Sequence, residues 1–164
     1  MRRICVDACF LIALCNENDQ YHEVAADYYG QLFEINRNRM VVPWPILYET
    51  VRTGTVKSPS SMRRLESHWK KMARWNLLEL LSDCRYRERV IQDCFDELQK
   101  PRNHQRNLSA VDRVIRNILS DSSVHIDAFI TFNVPDFADV CKRSRMELLC
   151  KDAPTRAATR VQWL

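Results

Sequence analysis

Within the opening fifteen residues, MRRICVDACFLIALC, one carboxylate stands between two apolar runs. The first run, Ile4-Cys5-Val6, is too short for a helix and reads as a buried strand over residues 3–6. The second, Ala8 to Cys15, contains no turn residue and is rich in Leu and Ala, so it reads as a buried helix. Asp7 therefore occupies the carboxyl end of a strand just where a helix begins. A chain that starts this way belongs to an α/β fold, and the rest of the sequence follows suit. Met40-Val-Val-Pro43, Leu77 to Leu81, His125 to Phe132 and Met146 to Cys150 read as further strands. Between them lie helical patterns: one capped by Asp19 and running to about Asn36, one from Pro45 to about Thr53, and one through Arg74 after a Ser/Pro linker at 57–61. Two more span about 85–99 and 108–119. Strands separated by helices imply a parallel sheet covered on both faces. No repeat or composition shift divides the 164 residues, which reads as one domain over 1–164.

Composition removes several classes of function. There are two glycines, Gly30 and Gly54, too few and too far apart for a phosphate-cradling loop or a hydrolase nucleophile elbow. The seven cysteines form no CxxC pair and no disulfide pattern. Cys5, Cys9, Cys15, Cys94 and Cys150 sit in apolar stretches as small hydrophobes, which fits a reducing compartment and argues against structural zinc. Arg2 and Arg3 before an apolar run imitate a signal peptide. Asp7 interrupts that run, however, and no small-residue cleavage site follows, so a cytoplasmic location with no membrane segment is expected. His22, His68, His104 and His125 are scattered, and none falls in a nucleophile–base arrangement. His125 reads as a core residue on an apolar strand.

The informative residues are acids in apolar settings. Asp7 lies at a strand's carboxyl end, the edge where open α/β sheets bind ligands. Glu49 borders the apolar face of its helix beside Ile46 and Leu47. Asp112 falls within the stripe Leu108–Val111–Ile115–Leu119, and Asp136 follows the turn Asn133-Val-Pro. Each has a bland alternative. Asp7 could cap a helix, Glu49 could be solvated, Asp112 could cap or pair with Arg116, and Asp136 could serve the loop. A set of carboxylates gathered at one edge would repel one another and lose hydration, and a divalent cation answers both costs.

Four blocks, ICVDACFLIAL, VVPWPILYETV, LSAVDRVI and DAFITFNVPDF, resemble the PIN domain family and stand in that family's order over residues 4–137. The resemblance implies an α/β/α sandwich around a mostly parallel sheet and a metal-dependent ribonuclease site. Asp7, Glu49 and Asp112 would be its three core acids, with Mg²⁺ or Mn²⁺ as cofactor. The fourth acid of the family often stands where this chain has Asn133. The pattern T-x-N-x-x-D-F assigns that role instead to Asp136. Cys9 replaces a small polar residue. The resemblance further implies a toxin of a toxin–antitoxin pair, an antitoxin partner and a homodimer. A catalytically silent module that binds RNA or protein is the competing reading, favoured by Cys9 and Asn133.

The net charge of +4 conceals a division along the chain. Residues 1–49 carry four basic and seven acidic side chains. Residues 50–75 carry seven basic ones (Arg52, Lys57, Arg63, Arg64, Lys70, Lys71 and Arg74) against Glu66 alone. On that stretch Met62, Leu65, Trp69 and Met72 form the apolar stripe. The bases read either as a solvated face or as an RNA-backbone track, with Trp69 or Trp75 available to stack on a base.

Overall fold

The computed structural model describes residues 1–151. The domain expected over 1–164 thus has its last thirteen residues, 152–164, outside the described residues. Five strands form one sheet: β1 (Arg3–Val6), β2 (Arg39–Pro43), β3 (Leu78–Leu81), β4 (Ala128–Ile130) and β5 (Glu147–Leu149). Their order is β3-β2-β1-β4-β5, and every pairing is parallel. Central β1 pairs Cys5 with Val41 on one side and with Phe129 on the other. Ile4, Cys5 and Val6 are fully buried because helices cover both faces.

The helices are α1 (Ala8–Cys15), α2 (His22–Tyr28), α3 (Trp44–Thr50), α4 (Thr53–Val56), α5 (Pro59–Arg74), α6 (Cys84–Leu98), α7 (Ala110–Ser120) and α8 (Val134–Arg143). The three-layer α/β/α arrangement is as expected, with local corrections. The helix expected to reach Asn36 as one piece widens at Tyr29–Ile35 into a π-helical stretch, in which Asn36 N–H reaches back five residues to the Gln31 carbonyl at 3.1 Å. Asp19 does not cap it directly; its Oδ1 accepts from the Tyr21 amide at 2.9 Å, one residue before α2 begins. The helix expected over 45–53 stops at Thr50. The supposed linker at 57–61 is shorter than expected, because Ser58 caps α5 and Pro59 occupies its first turn.

Around β4 the differences are larger. The strand expected over 125–132 is confined to 128–130, because Ser122–Val124 forms a 3₁₀ turn and His125 adopts φ 54°. His125 is exposed, not a core residue on a strand. Past β4, the turn expected at Asn133-Val-Pro is the start of α8, with Pro135 in its first turn. Cys5, Cys15 and Cys141 are buried as small hydrophobes, whereas Cys150 is exposed, and all seven thiols are free. No helix among the described residues is long and apolar enough to cross a membrane.

The candidate active site

The strand order reverses direction between β1 and β4, a switch point of the kind at whose carboxyl ends open α/β sheets bind ligands. Asp7 follows β1 there and Thr131 follows β4, joined through a hydrogen bond from the Asp7 amide to the Ile130 carbonyl at 3.0 Å. Asp7 is 7% exposed. Its Oδ1 accepts from the Ala8 amide at 2.7 Å, so it also caps α1. Its Oδ2 accepts from Thr131 Oγ1 at 2.6 Å and from Cys9 Sγ at 3.0 Å. Both donors are themselves fixed: the Asn133 amide donates to Thr131 Oγ1 at 2.9 Å and the Phe132 amide to Cys9 Sγ at 3.2 Å. Burial, and then Asp7 itself, push the Cys9 thiol up to about 12, so it stays protonated and serves as a donor. This cradle was not evident from spacing, since Thr131 lies 124 residues from the carboxylate it holds.

Burial raises the Asp7 carboxyl above its usual range, and Asp112 adds to the rise against the three hydrogen bonds. Glu49, half-buried on α3, is raised first by burial and then by Asp7 and Asp112, with Arg52 opposing. The three acids therefore lie within each other's electrostatic reach. Asp112 enters the group from α7, where it occupies the third position of a capping box. Its amide donates to Ser109 Oγ at 3.0 Å, while its Oδ2 accepts from Ser109 Oγ at 2.6 Å and from the Ser109 amide at 3.2 Å. Of its two bland alternatives the cap is realised, and the pair with Arg116 is not. Asp112 Oδ1 and both oxygens of Glu49 accept no hydrogen bond among the described residues.

Asp136 stands apart. Its Oδ2 accepts from Asn133 Nδ2 at 2.6 Å, across the start of α8, and it is not one of the charges that raise Glu49. Asp7, Glu49 and Asp112 thus feel one another's charge, and Asp136 is linked to Asp7 through Asn133 and Thr131. Among the described residues, no three His, Cys, Asp or Glu side chains are drawn close enough to hold one ion between them. The donor chemistry still fits a hard divalent cation: acidic oxygens, a buried carboxylate without a cationic partner, and free lone pairs on Glu49 and Asp112.

The basic stretch is partly neutralised. Lys70 pairs with Glu66 at 2.5 Å, Lys71 with Glu34 at 2.7 Å, and Arg64 with Glu17. Glu34 and Glu17 are distant in sequence, so the charge division along the chain overstated the bases left over. Arg52, Lys57, Arg63 and Arg74 are exposed and have no ionic partner among the described residues. Trp75 is not open for stacking on that face: the Arg37 guanidinium lies 3.5 Å from its ring centre. Trp69 instead lines an apolar groove of about 590 Å³ between α3 and α5, together with Trp44, Leu47, Tyr48, Val51 and Leu65.

No protein-family model and no curated protein sequence matches the chain. Solved structures do. VapC20 of Mycobacterium tuberculosis, described as a toxin that cleaves the sarcin–ricin loop, superposes with a TM-score of 0.58 at 17% identity, over 83% of this chain and 94% of VapC20. The fold is that of a PIN domain. VapBC2 of Rickettsia felis, solved with a DNA fragment from its promoter, aligns with a TM-score of 0.53 at 13% identity, over 92% of this chain and 99% of that one. At such identities the likeness establishes the PIN architecture, and the chemistry must be argued from this chain's own carboxylates.

Proposed function

We propose that the chain is a divalent-metal-dependent endoribonuclease of the toxin type. What supports this reading is the trio Asp7, Glu49 and Asp112: three carboxylates within electrostatic reach of one another, with Asp7 buried at the switch point of the sheet and no Lys or Arg side chain paired with any of them among the described residues. A fold gains no stability from that arrangement. It becomes favourable when a cation completes it.

Asp7 is the fixed member, its carboxylate oriented by Thr131, Cys9 and the Ala8 amide. Glu49 and Asp112 supply the free oxygens, and Asp136 joins from α8 as the fourth acid, steered by Asn133. When bound, Mg²⁺ or Mn²⁺ supplies a water of lowered pKa and positive charge beside the scissile phosphate. The chain's own work is placement: it holds oxygens in an orientation set by two layers of hydrogen bonds before substrate arrives. Arg52, one turn beyond Glu49 and exposed, with Lys57, Arg63 and Arg74, would contact the RNA backbone.

Toxin character and an antitoxin partner are supported by the VapC-type architecture and by the groove beside Glu49. Tyr48 is 70% exposed, Val51 41% and Trp44 39%, a concentration of apolar surface unusual for a side without a partner. The apolar face of an antitoxin helix fits that groove, and a homodimer is proposed on the same architectural ground. The test is cleavage of RNA with and without Mn²⁺ by the wild type and by Asp112→Asn, whose amide oxygen still accepts from the Ser109 amide and preserves the cap. Loss of cleavage by a folded variant is expected. Undiminished cleavage would remove Asp112 from the site. A wild type that neither cleaves nor gains thermal stability with Mn²⁺ would instead favour the silent binding module.

A further inference from the structure

Beyond the acids themselves, one cationic side chain ties together the two helices that carry Asp112 and Asp136. Arg116 lies one turn after Asp112 on the same face of α7. Its guanidinium donates to both carboxylate oxygens of Asp139 on α8, at 2.7 and 2.8 Å, and Nη1 also donates to the backbone carbonyl of Asp136. Its side chain is 12% exposed, so this fork is held away from water, where charge-assisted bonds are strongest. Two further arginines converge on Asp139, Arg106 at 3.0 Å and Arg143 at 2.8 Å, but their side chains are 47% and 63% exposed. Neither donates to the Asp136 carbonyl among the described residues. Arg116, and after it Arg106, hold the Asp139 carboxyl far below its usual range against the effect of burial.

We infer that Arg116 is a positioning residue for the candidate active site: it fixes the first turn of α8, and with it Asp136 and Asn133, against the helix that carries Asp112. The inference rests on the metal-site reading above and adds to it a residue that touches neither metal nor substrate. Geometry gives the reason. α8 begins at Val134, and Asn133 before it makes no side-chain cap to the first helical amides. A helix start without a cap frays readily. Arg116 grips that start at two points, the Asp136 carbonyl and the Asp139 side chain one turn on. The planar fork matters as much as the charge, because a lysine carries its donors on one tetrahedral nitrogen and cannot match the two Asp139 oxygens with two parallel bonds.

The test compares Arg116→Met, Arg116→Lys and Asp139→Asn with the wild type in two measurements. The first is amide hydrogen exchange of residues 133–137 on the metal-free protein. The second is the Mn²⁺ dissociation constant from calorimetry. Faster exchange in that turn and Mn²⁺ binding weakened about tenfold are expected for Arg116→Met, with Arg116→Lys intermediate. Asp139→Asn should show the same signs more weakly, since the carbonyl contact survives, and it keeps the question open to measurement should Arg116→Met fail to fold. Unchanged exchange at 133–137 in folded variants would overturn the inference. So would faster exchange with unaltered Mn²⁺ affinity, provided that Asp136→Asn does weaken Mn²⁺. If Asp136→Asn leaves Mn²⁺ affinity unaltered while Asp7→Asn abolishes binding, Asp136 is no ligand and the link from Arg116 to the ion falls with it.

Discussion

The two edges of the same sheet are built on opposite electrostatic plans. At the amino edge Arg2, Arg3 and Arg39 find carboxylate partners. Arg3 donates to Glu79 and to the His125 carbonyl at 3.1 Å, its amide binds Asp127 Oδ2 at 2.7 Å, Arg39 lies 3.7 Å from Glu79, and Arg2 pairs with Glu147. At the carboxyl edge Asp7 and Asp112 raise Glu49 by charge, Asp112 raises Asp7, and no Lys or Arg side chain pairs with the three among the described residues. One edge spends its charges on holding strands in register. The other leaves its acids unpaired, a pattern that functional sites share. Four of the five αL residues among those described fall on the first edge as well: Arg37, Asn76, His125 and Arg145 have φ between 52° and 54° and stand just ahead of β2, β3, β4 and β5, while Asn107 precedes α7. In most folds glycine fills such turns. With two glycines in the chain, neither at positive φ, longer side chains bear the strain.

This contrast can be broken in graded steps. The largest effect belongs to the carboxyl edge: Asp112→Asn should cut Mn²⁺-dependent RNA cleavage by about 100-fold or more while leaving the melting temperature nearly unchanged. A fall in stability as large as the fall in activity would mean that Asp112 serves the fold. Next, at the amino edge, Glu79→Gln should cost about 1–2 kcal/mol in urea unfolding, since it strips partly buried Arg3 and Arg39 of a shared partner. Metal affinity should not respond.

Acidity separates the edges by sign. Asp7 and Glu49 titrate above the ordinary carboxylate range in the folded chain. The metal-free fold therefore holds more protons than the unfolded chain in that window, and the contribution of these two groups to stability falls as pH rises through it. Asp121, held down to about 2 by Ser123 and Tyr86, behaves oppositely and gives up its contribution as pH falls below the ordinary range. Because Mn²⁺ competes with the protons on Asp7 and Glu49, its affinity should rise with pH across their window. Calorimetric titrations at several pH values check this, and a flat profile would speak against both acids as ligands. The smallest expected effect is a gain: His125→Gly or Arg145→Gly should stabilise the fold by about 0.5–1 kcal/mol, read by thermal unfolding, by relieving αL strain at the amino edge.

What the chain disclosed in advance follows from the range of the forces involved. β1, α1 and the placement of Asp7 were legible because a local apolar pattern brackets a charge. Glu49 and Asp112 could be proposed from their positions on helical stripes. The Ser-x-x-Asp spacing at Ser109 and Asp112 was a cap visible in the sequence, and the structure shows that cap carrying a candidate ligand at the same time. Contacts between distant segments were not legible. Nothing local says that Thr131 holds Asp7, that Arg116 selects Asp139 over Asp112, or that Glu34 and Glu17 neutralise part of the basic helix. The start of α8 was read as a turn because Asn133 and Pro135 signal one, and proline in a first helical turn sends the same signal.

On the proposed reading, the unpaired acids of the carboxyl edge await a divalent cation. Calorimetric titration of Mn²⁺ into the wild type and into Asp7→Asn at neutral pH tests it most directly. Saturable binding by the wild type, lost in a folded Asp7→Asn, is the predicted result. No binding by the wild type, or equal affinity in the two proteins, would contradict it.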